Sequence, residues 1–126
     1  MLKTLIILLL LLFGFSCNNG EYDLGKGYKY FYNRTRNYLT LNDSILIGNK
    51  ITDYDYNDNY IIVYRIIQKE NLYKEGVYEL YIINKSENLK YGPLNFDEFI
   101  QLRQKLKIDE NLELNINIWS EYINKF

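Results

Sequence analysis

The chain has 126 residues, a formal charge of −1 and no histidine, which removes the commonest general base and the commonest catalytic zinc ligand. Lys and Arg number 15 against 16 Asp and Glu, with no basic stripe of the kind that binds nucleic acid. A single cysteine excludes an internal disulfide, so stability must come from one packed core, for which the chain is long enough.

Met1-Leu2-Lys3 is a short basic start, and Leu5–Phe15 follow as an 11-residue run, LIILLLLLFGF. A membrane-spanning helix needs about 20 such residues. A basic start, a short apolar stretch and small residues before a cut form the pattern of a secretory signal. The small residues are Gly14 and Ser16, just ahead of Cys17, so residues 1–16 read as a signal peptide. Gly-Phe-Ser-Cys resembles the lipobox of bacterial lipoproteins, although Phe15 is bulkier than the usual residue there. The resemblance implies a diacylglycerol on the Cys17 thiol, cleavage just before it, and acylation (palmitate) of the new amino group. It places the protein at the cell envelope, held to a membrane by lipid. Asn18 stands where inner-membrane retention uses Asp, which points to the outer membrane of a diderm bacterium. Loss of Lys3 takes the mature charge to −2.

Residues 17–26 read as the lipidated anchor and a polar tether, NNGEYDLGK after the cysteine. A single domain is expected over 27–126. Tyr28–Tyr32 is rich in β-formers and ends at the polar cluster Asn33–Asn37. Tyr38–Leu41 and Ser44–Ile47 are two short strands around Asn42-Asp43, a tight hairpin connection without the usual glycine. Ile51–Tyr56 alternates loosely. Tyr60–Ile67 is nearly continuous β-branched and aromatic residue, as expected of a strand covered on both faces. Val77–Ile83 is a second such strand, and these two are the expected centre of the sheet.

Gly92-Pro93 reads as a break in the strand pattern. Asn95 can then cap a helix, with Glu98 completing a capping box and Leu94 stapled to Phe99. Phe96, Phe99, Leu102 and Leu106 fall on one helical face with Ile100 beside them. Leu112, Leu114, Ile116 and Ile118 alternate with polar residues as a strand would, and Trp119, Tyr122, Ile123 and Phe126 suit a last helical turn. The expected fold is α+β: an antiparallel meander of about five strands in one sheet, with one C-terminal amphipathic helix packed on a face.

No residue pattern points to an enzyme. Ser44, Ser86 and Ser120 sit in no Gly-x-Ser-x-Gly elbow, and a lipidated Cys17 offers no thiol nucleophile. Asp53-Tyr54-Asp55-Tyr56-Asn57-Asp58 opens like a calcium loop, then departs from it, with Asp58 where glycine belongs and Tyr64 where the closing glutamate belongs. No metal site and no cofactor is expected. The 14 tyrosines supply rigid amphipathic area of the kind enriched at interfaces, and Tyr54, Tyr56, Trp119 and Tyr122 are candidates for a binding surface. Aromatics at alternate strand positions also simply pack. Asp43-Ser44-Ile45 resembles a bacterial O-glycosylation motif, with Ser44 as acceptor.

Asp23–Tyr28, Tyr60-Ile61-Ile62, Tyr81–Lys85, Tyr91-Gly92-Pro93-Leu94 and Phe96–Phe99 together resemble a family of small bacterial lipoproteins known as domain of unknown function 3997. The likeness covers roughly Glu21 to Ile108, and the Gly-Pro-Leu junction before the helix is its distinctive part. It implies the fold and the anchoring and no mechanism. The expected function is a non-catalytic envelope lipoprotein that binds a macromolecular partner, first of all a protein, as an immunity factor, inhibitor or complex subunit. A glycan-binding module is the alternative, and a hydrolase using Asp53, Asp55 and Asp58 the third reading.

Overall fold

The structure, a computed structural model, describes residues 19–68 and 77–115. It contains eight antiparallel strands in two four-stranded sheets and one helix. The first sheet is β1 (Gly20–Gly25), β2 (Tyr28–Tyr32), β3 (Asn37–Leu41) and β4 (Ser44–Gly48). The second is β5 (Ile51–Tyr56), β6 (Tyr60–Gln68), β7 (Val77–Asn84) and β8 (Leu89–Leu94), followed by α1 (Phe96–Lys105). Each sheet is a simple meander in sequence order.

The class expected from sequence holds, and the sheet count does not: two stacked sheets replace the single one of about five strands. β6 explains why. Ile61, Ile62, Val63 and Tyr64 are all buried, so both faces of the second sheet need a cover. On one face Ile61 and Val63, with Tyr81 and Ile83 of β7 and Ile51 of β5, pack against Leu24, Tyr28, Leu39 and Ile47 of the first sheet. On the other, Ile62, Tyr64, Leu80 and Ile82 pack under Phe96 and Phe99 of α1 and under Ile108, Leu112 and Leu114 beyond it. The layers therefore run sheet, sheet, helix. Each fully buried aliphatic in the shared sheet contributes about 1.5–3 kcal/mol.

Two boundaries are corrected. Gly20–Gly25, expected in the tether, is a strand paired with Tyr28–Tyr32. Lys26 and Gly27 (φ 54° and 86°) form its two-residue turn, the left-handed pair that matches the twist of a hairpin and that glycine adopts without strain. Gly92-Pro93, read as a break, lies inside β8 with a cis peptide bond. Proline is tolerated there because β8 is the outermost strand of its sheet and need not donate on both sides. Asn42-Asp43 is the tight turn expected of it, both residues at positive φ.

The cap of α1 is as read from sequence. Asn95 Oδ1 accepts from the Glu98 N–H at 2.8 Å, and Glu98 Oε1 accepts from the Asn95 N–H at 3.1 Å. Phe96 and Phe99 are buried, while Ile100, Leu102 and Leu106 are partly buried against the same core. Beyond the helix, Arg103 donates to the carbonyls of Asp109 (3.0 Å) and Leu112 (2.5 Å) and turns the chain back over the second sheet. Leu112 and Leu114 are buried and Glu113 and Asn115 exposed, so the expected alternation is present over 112–115, without a strand ladder. The rest of that predicted strand, the last helical turn with Trp119 and Tyr122, and the leader with Cys17 lie outside the described residues. Among the described residues no helix is long and apolar enough to cross a membrane.

Candidate functional site

β1 and β5 are each an outermost strand of its sheet, and the space between their inward faces is lined by tyrosine. In β2 the side chains of Tyr28, Tyr30 and Tyr32 share a face, since strand side chains alternate. Tyr28 is buried in the core; Tyr30 and Tyr32 emerge progressively from it. Tyr22 of β1 lies opposite Tyr30. Tyr54 and Tyr56 occupy the same inward face of β5, opposite Val63 and Ile61.

These rings form one file. Tyr32 stacks on Tyr22 at 5.8 Å and on Tyr30 at 6.1 Å. Tyr30 meets Tyr54 across the sheets at 4.4 Å, tilted by 39°, and Tyr54 stacks on Tyr56 at 6.5 Å. The separations are those of favourable offset and tilted ring pairs. The two ends are open: Tyr22 is 53 % exposed and Tyr56 43 %. At the Tyr32 end the ring lies across Gly20, where any Cβ would overlap it. Two of these phenols are held neutral. Burial, reinforced by the neighbouring Tyr30 and Tyr56, pushes Tyr54 up to about 12, and a hydrogen bond with Tyr22 raises Tyr32.

Lys85 flanks the Tyr56 end. Its side chain is 3 % exposed, its Nζ donates to the Leu24 carbonyl of β1 at 2.5 Å, and it stands 5.5 Å from the Tyr56 ring centroid. Burial lowers its pKa, while the carbonyl and the ring face both suit the charged form. Nearby, Lys26 Nζ reaches Ser86 Oγ at 2.9 Å and the Tyr28 hydroxyl reaches Asn88 Oδ1 at 3.0 Å. Three contacts thus join the Asn84–Leu89 turn of the second sheet to the first.

A second polar group sits on the inward face of the second sheet. Arg65 and Glu79 are cross-strand partners with 3.6 Å between Arg65 Nη1 and Glu79 Oε2. The Tyr81 hydroxyl donates to Glu79, and burial, with the glutamate second, raises the Tyr81 pKa. Arg65 Nε is buried without a partner. Neither this cluster nor Lys85 was legible from sequence, because each depends on strand register across 14 or more positions.

Of the residues singled out in sequence, Tyr54 and Tyr56 belong to the file. Asp53 and Asp55 do not face it. They alternate with the tyrosines and lie on the helix side of β5, where Asp55 Oδ2 accepts from the Glu113 N–H at 2.9 Å and Asp53 Oδ2 from the Asn115 N–H at 2.5 Å. Asn57 Oδ1 accepts from the N–H groups of Asn59 (2.9 Å) and Tyr60 (2.8 Å) and shapes the β5–β6 turn. The opening of the calcium-like motif is therefore engaged by the chain's own backbone. Among the described residues no group of three or more His, Cys, Asp or Glu is placed to hold a metal ion. Ser44 is exposed at the start of β4 beside the Asn42-Asp43 turn.

A family model described as a protein of unknown function, DUF3997, matches residues 26–120. No curated protein and no solved structure matches the chain.

Proposed function

Since the chain belongs to the DUF3997 family, whose function is unknown, we propose a role from its own geometry: a non-catalytic envelope lipoprotein, anchored through lipid on Cys17, that binds a protein partner at the Tyr54–Tyr56 end of the tyrosine file. The observation that carries this reading is the open end itself. Tyr56 is 43 % exposed, rigidly backed by Tyr54 and stacked at 6.5 Å, with the Lys85 ammonium beside the ring. A preorganised aromatic with little rotamer freedom left to lose is the usual anchor of a protein interface. Of the three carboxylates a hydrolase would have used, Asp55 and Asp53 accept from the Glu113 and Asn115 N–H groups, which supports a binding role over a catalytic one. Residues 1–16 are the proposed signal and the outer membrane of a diderm bacterium the proposed address. Ser44, exposed beside a turn, is a proposed glycosylation site.

A photocrosslinking amino acid at position 56, in cells making the full chain, tests the partner. A discrete protein adduct that is lost when the label is moved to the far face, at position 40, is expected. A saturable glycan ligand with no protein adduct would replace the protein reading by a sugar-binding one. Anchoring is tested separately: Cys17→Ser should leave the chain unprocessed or released from the membrane fraction, and full membrane retention of correctly cut Cys17→Ser protein would refute it.

A further inference from the structure

β1 begins at Gly20, three residues after Cys17. Three residues reach at most about 10–11 Å when fully extended. A lipid on Cys17 therefore holds the start of β1 at the headgroup layer, with no spacer to lift the domain away. What the first sheet presents at that end is specific. Tyr32 is paired with Gly20 and lies across it. Tyr22, stacked on Tyr32 at 5.8 Å, is 53 % exposed. The turn that follows Tyr32 is closed by a hydrogen bond from the Asn33 N–H to the Arg36 carbonyl at 2.8 Å and carries exposed Arg34 and Arg36. The acid nearest the anchor, Glu21, is paired with Lys29 at 3.1 Å. Phenols settle at the boundary between hydrocarbon and water because one end of the ring is apolar and the other hydrogen-bonds. Arginines near the surface are drawn to anionic headgroups.

We infer that the Tyr22–Tyr32 end of the file, with Arg34 and Arg36, is a lipid-contacting surface that lies in the headgroup layer of an anionic bilayer. It fixes the domain in one orientation and leaves the Tyr56 end facing outward. This inference rests on the lipidation of Cys17 proposed above. The file then has a membrane end and a partner end, linked through Tyr30 and Tyr54.

Tyr22 and Tyr56 serve as reporter and internal control, because both are exposed in the free domain. The full lipidated chain, in vesicles of phosphatidylethanolamine and phosphatidylglycerol, is iodinated by lactoperoxidase and compared with soluble Cys17→Ser protein by peptide mass spectrometry. The same spectra report the lipid mass on Cys17. Labelling of Tyr22 should fall about fivefold relative to Tyr56 on the vesicles, and R34E/R36E should restore most of it. Equal Tyr22-to-Tyr56 ratios in vesicles and in solution, with the lipid mass present, would overturn the inference and leave the anchoring intact. A mature Cys17 without lipid would overturn the anchoring and the orientation together.

Discussion

Asn37, at the start of β3 in the first sheet, grips the backbone of Ile51, at the start of β5 in the second, from both sides. Its Nδ2 donates to the Ile51 carbonyl at 2.7 Å, and its Oδ1 accepts from the Ile51 N–H at 2.9 Å. The side-chain amide thus stands in for a neighbouring strand at the point where the chain passes between sheets. The crossing residues Asn49 and Lys50 both take positive φ (59° and 60°), so a strained connection is held by a two-point side-chain bond.

That grip predicts a measurable loss. Asn37→Ala should destabilise the domain by about 1–3 kcal/mol, since it leaves two backbone groups without their partner. Asn37→Asp keeps the acceptor and turns the donor into a second acceptor facing the Ile51 carbonyl, so it should be no better. Urea denaturation of both variants checks this. A loss below about 0.5 kcal/mol for each would show that water replaces the amide freely.

The clamp on the returning chain is a separate prediction. Asp53→Ala or Asp55→Ala should free the amides of Asn115 or Glu113, seen as faster hydrogen exchange at those two positions. Both bonds are solvent-exposed, so the cost should fall below the usual range for charged acceptors, at about 1 kcal/mol each. Because the motif's carboxylates bind backbone, added calcium should leave the melting temperature unchanged. A clear calcium-dependent rise would restore the metal-loop reading.

At the helix, Asn95→Ala should cost about 1 kcal/mol through the lost cap. Phe99→Ala, which empties a fully buried position between α1 and the second sheet, should cost roughly 3–5 kcal/mol. A denaturant melt that ranks the two equally would contradict the packing of α1.

Much of this was legible in the residues themselves. The Asn95–Glu98 box, the buried Phe96–Phe99 face and the both-faces pattern of Tyr60–Ile67 are local signals, read over a few positions. The second cover on that strand was missed because the strands supplying it are weakly patterned. In GEYDLG only Leu24 is buried, so β1 passes for a polar spacer, and the Lys26-Gly27 turn was its one usable sign. The tyrosine file was out of reach for another reason. Tyr30 and Tyr54 meet only after two sheets stack, and Lys85, in the polar turn after β7, is buried where it meets the Leu24 carbonyl and the Tyr56 ring.

Alkaline pH should expose the cost of ionising Tyr54 inside the file. Tyr54 in the folded state is pushed up to about 12 from the ordinary phenol value of 10.0. The folded chain therefore holds this proton where the unfolded chain releases it. The stabilisation is fully present below the unfolded value and is lost as pH rises through the window from 10 to about 12. Absorbance titration of the phenolates should resolve a late-ionising tyrosine that disappears in Tyr54→Phe, and the variant should lose less stability over that window. Ionisation of every phenol at its ordinary value would contradict the packing of the file.

The short connection from Cys17 to β1 has a mechanical consequence. With the proposed lipid on Cys17 and the proposed partner in place, a pull between them would enter the domain at Gly20, along an outermost strand. β1 answers with a ladder to β2 over Gly20–Gly25 and, near its far end, with the Lys85 ammonium on the Leu24 carbonyl. A tug directed along the strand loads those bonds together, in shear, and passes through Lys85 into the central strands of the second sheet. The buried lysine would then work as a rivet between the strand nearest the proposed anchor and the part of the domain that is most deeply packed.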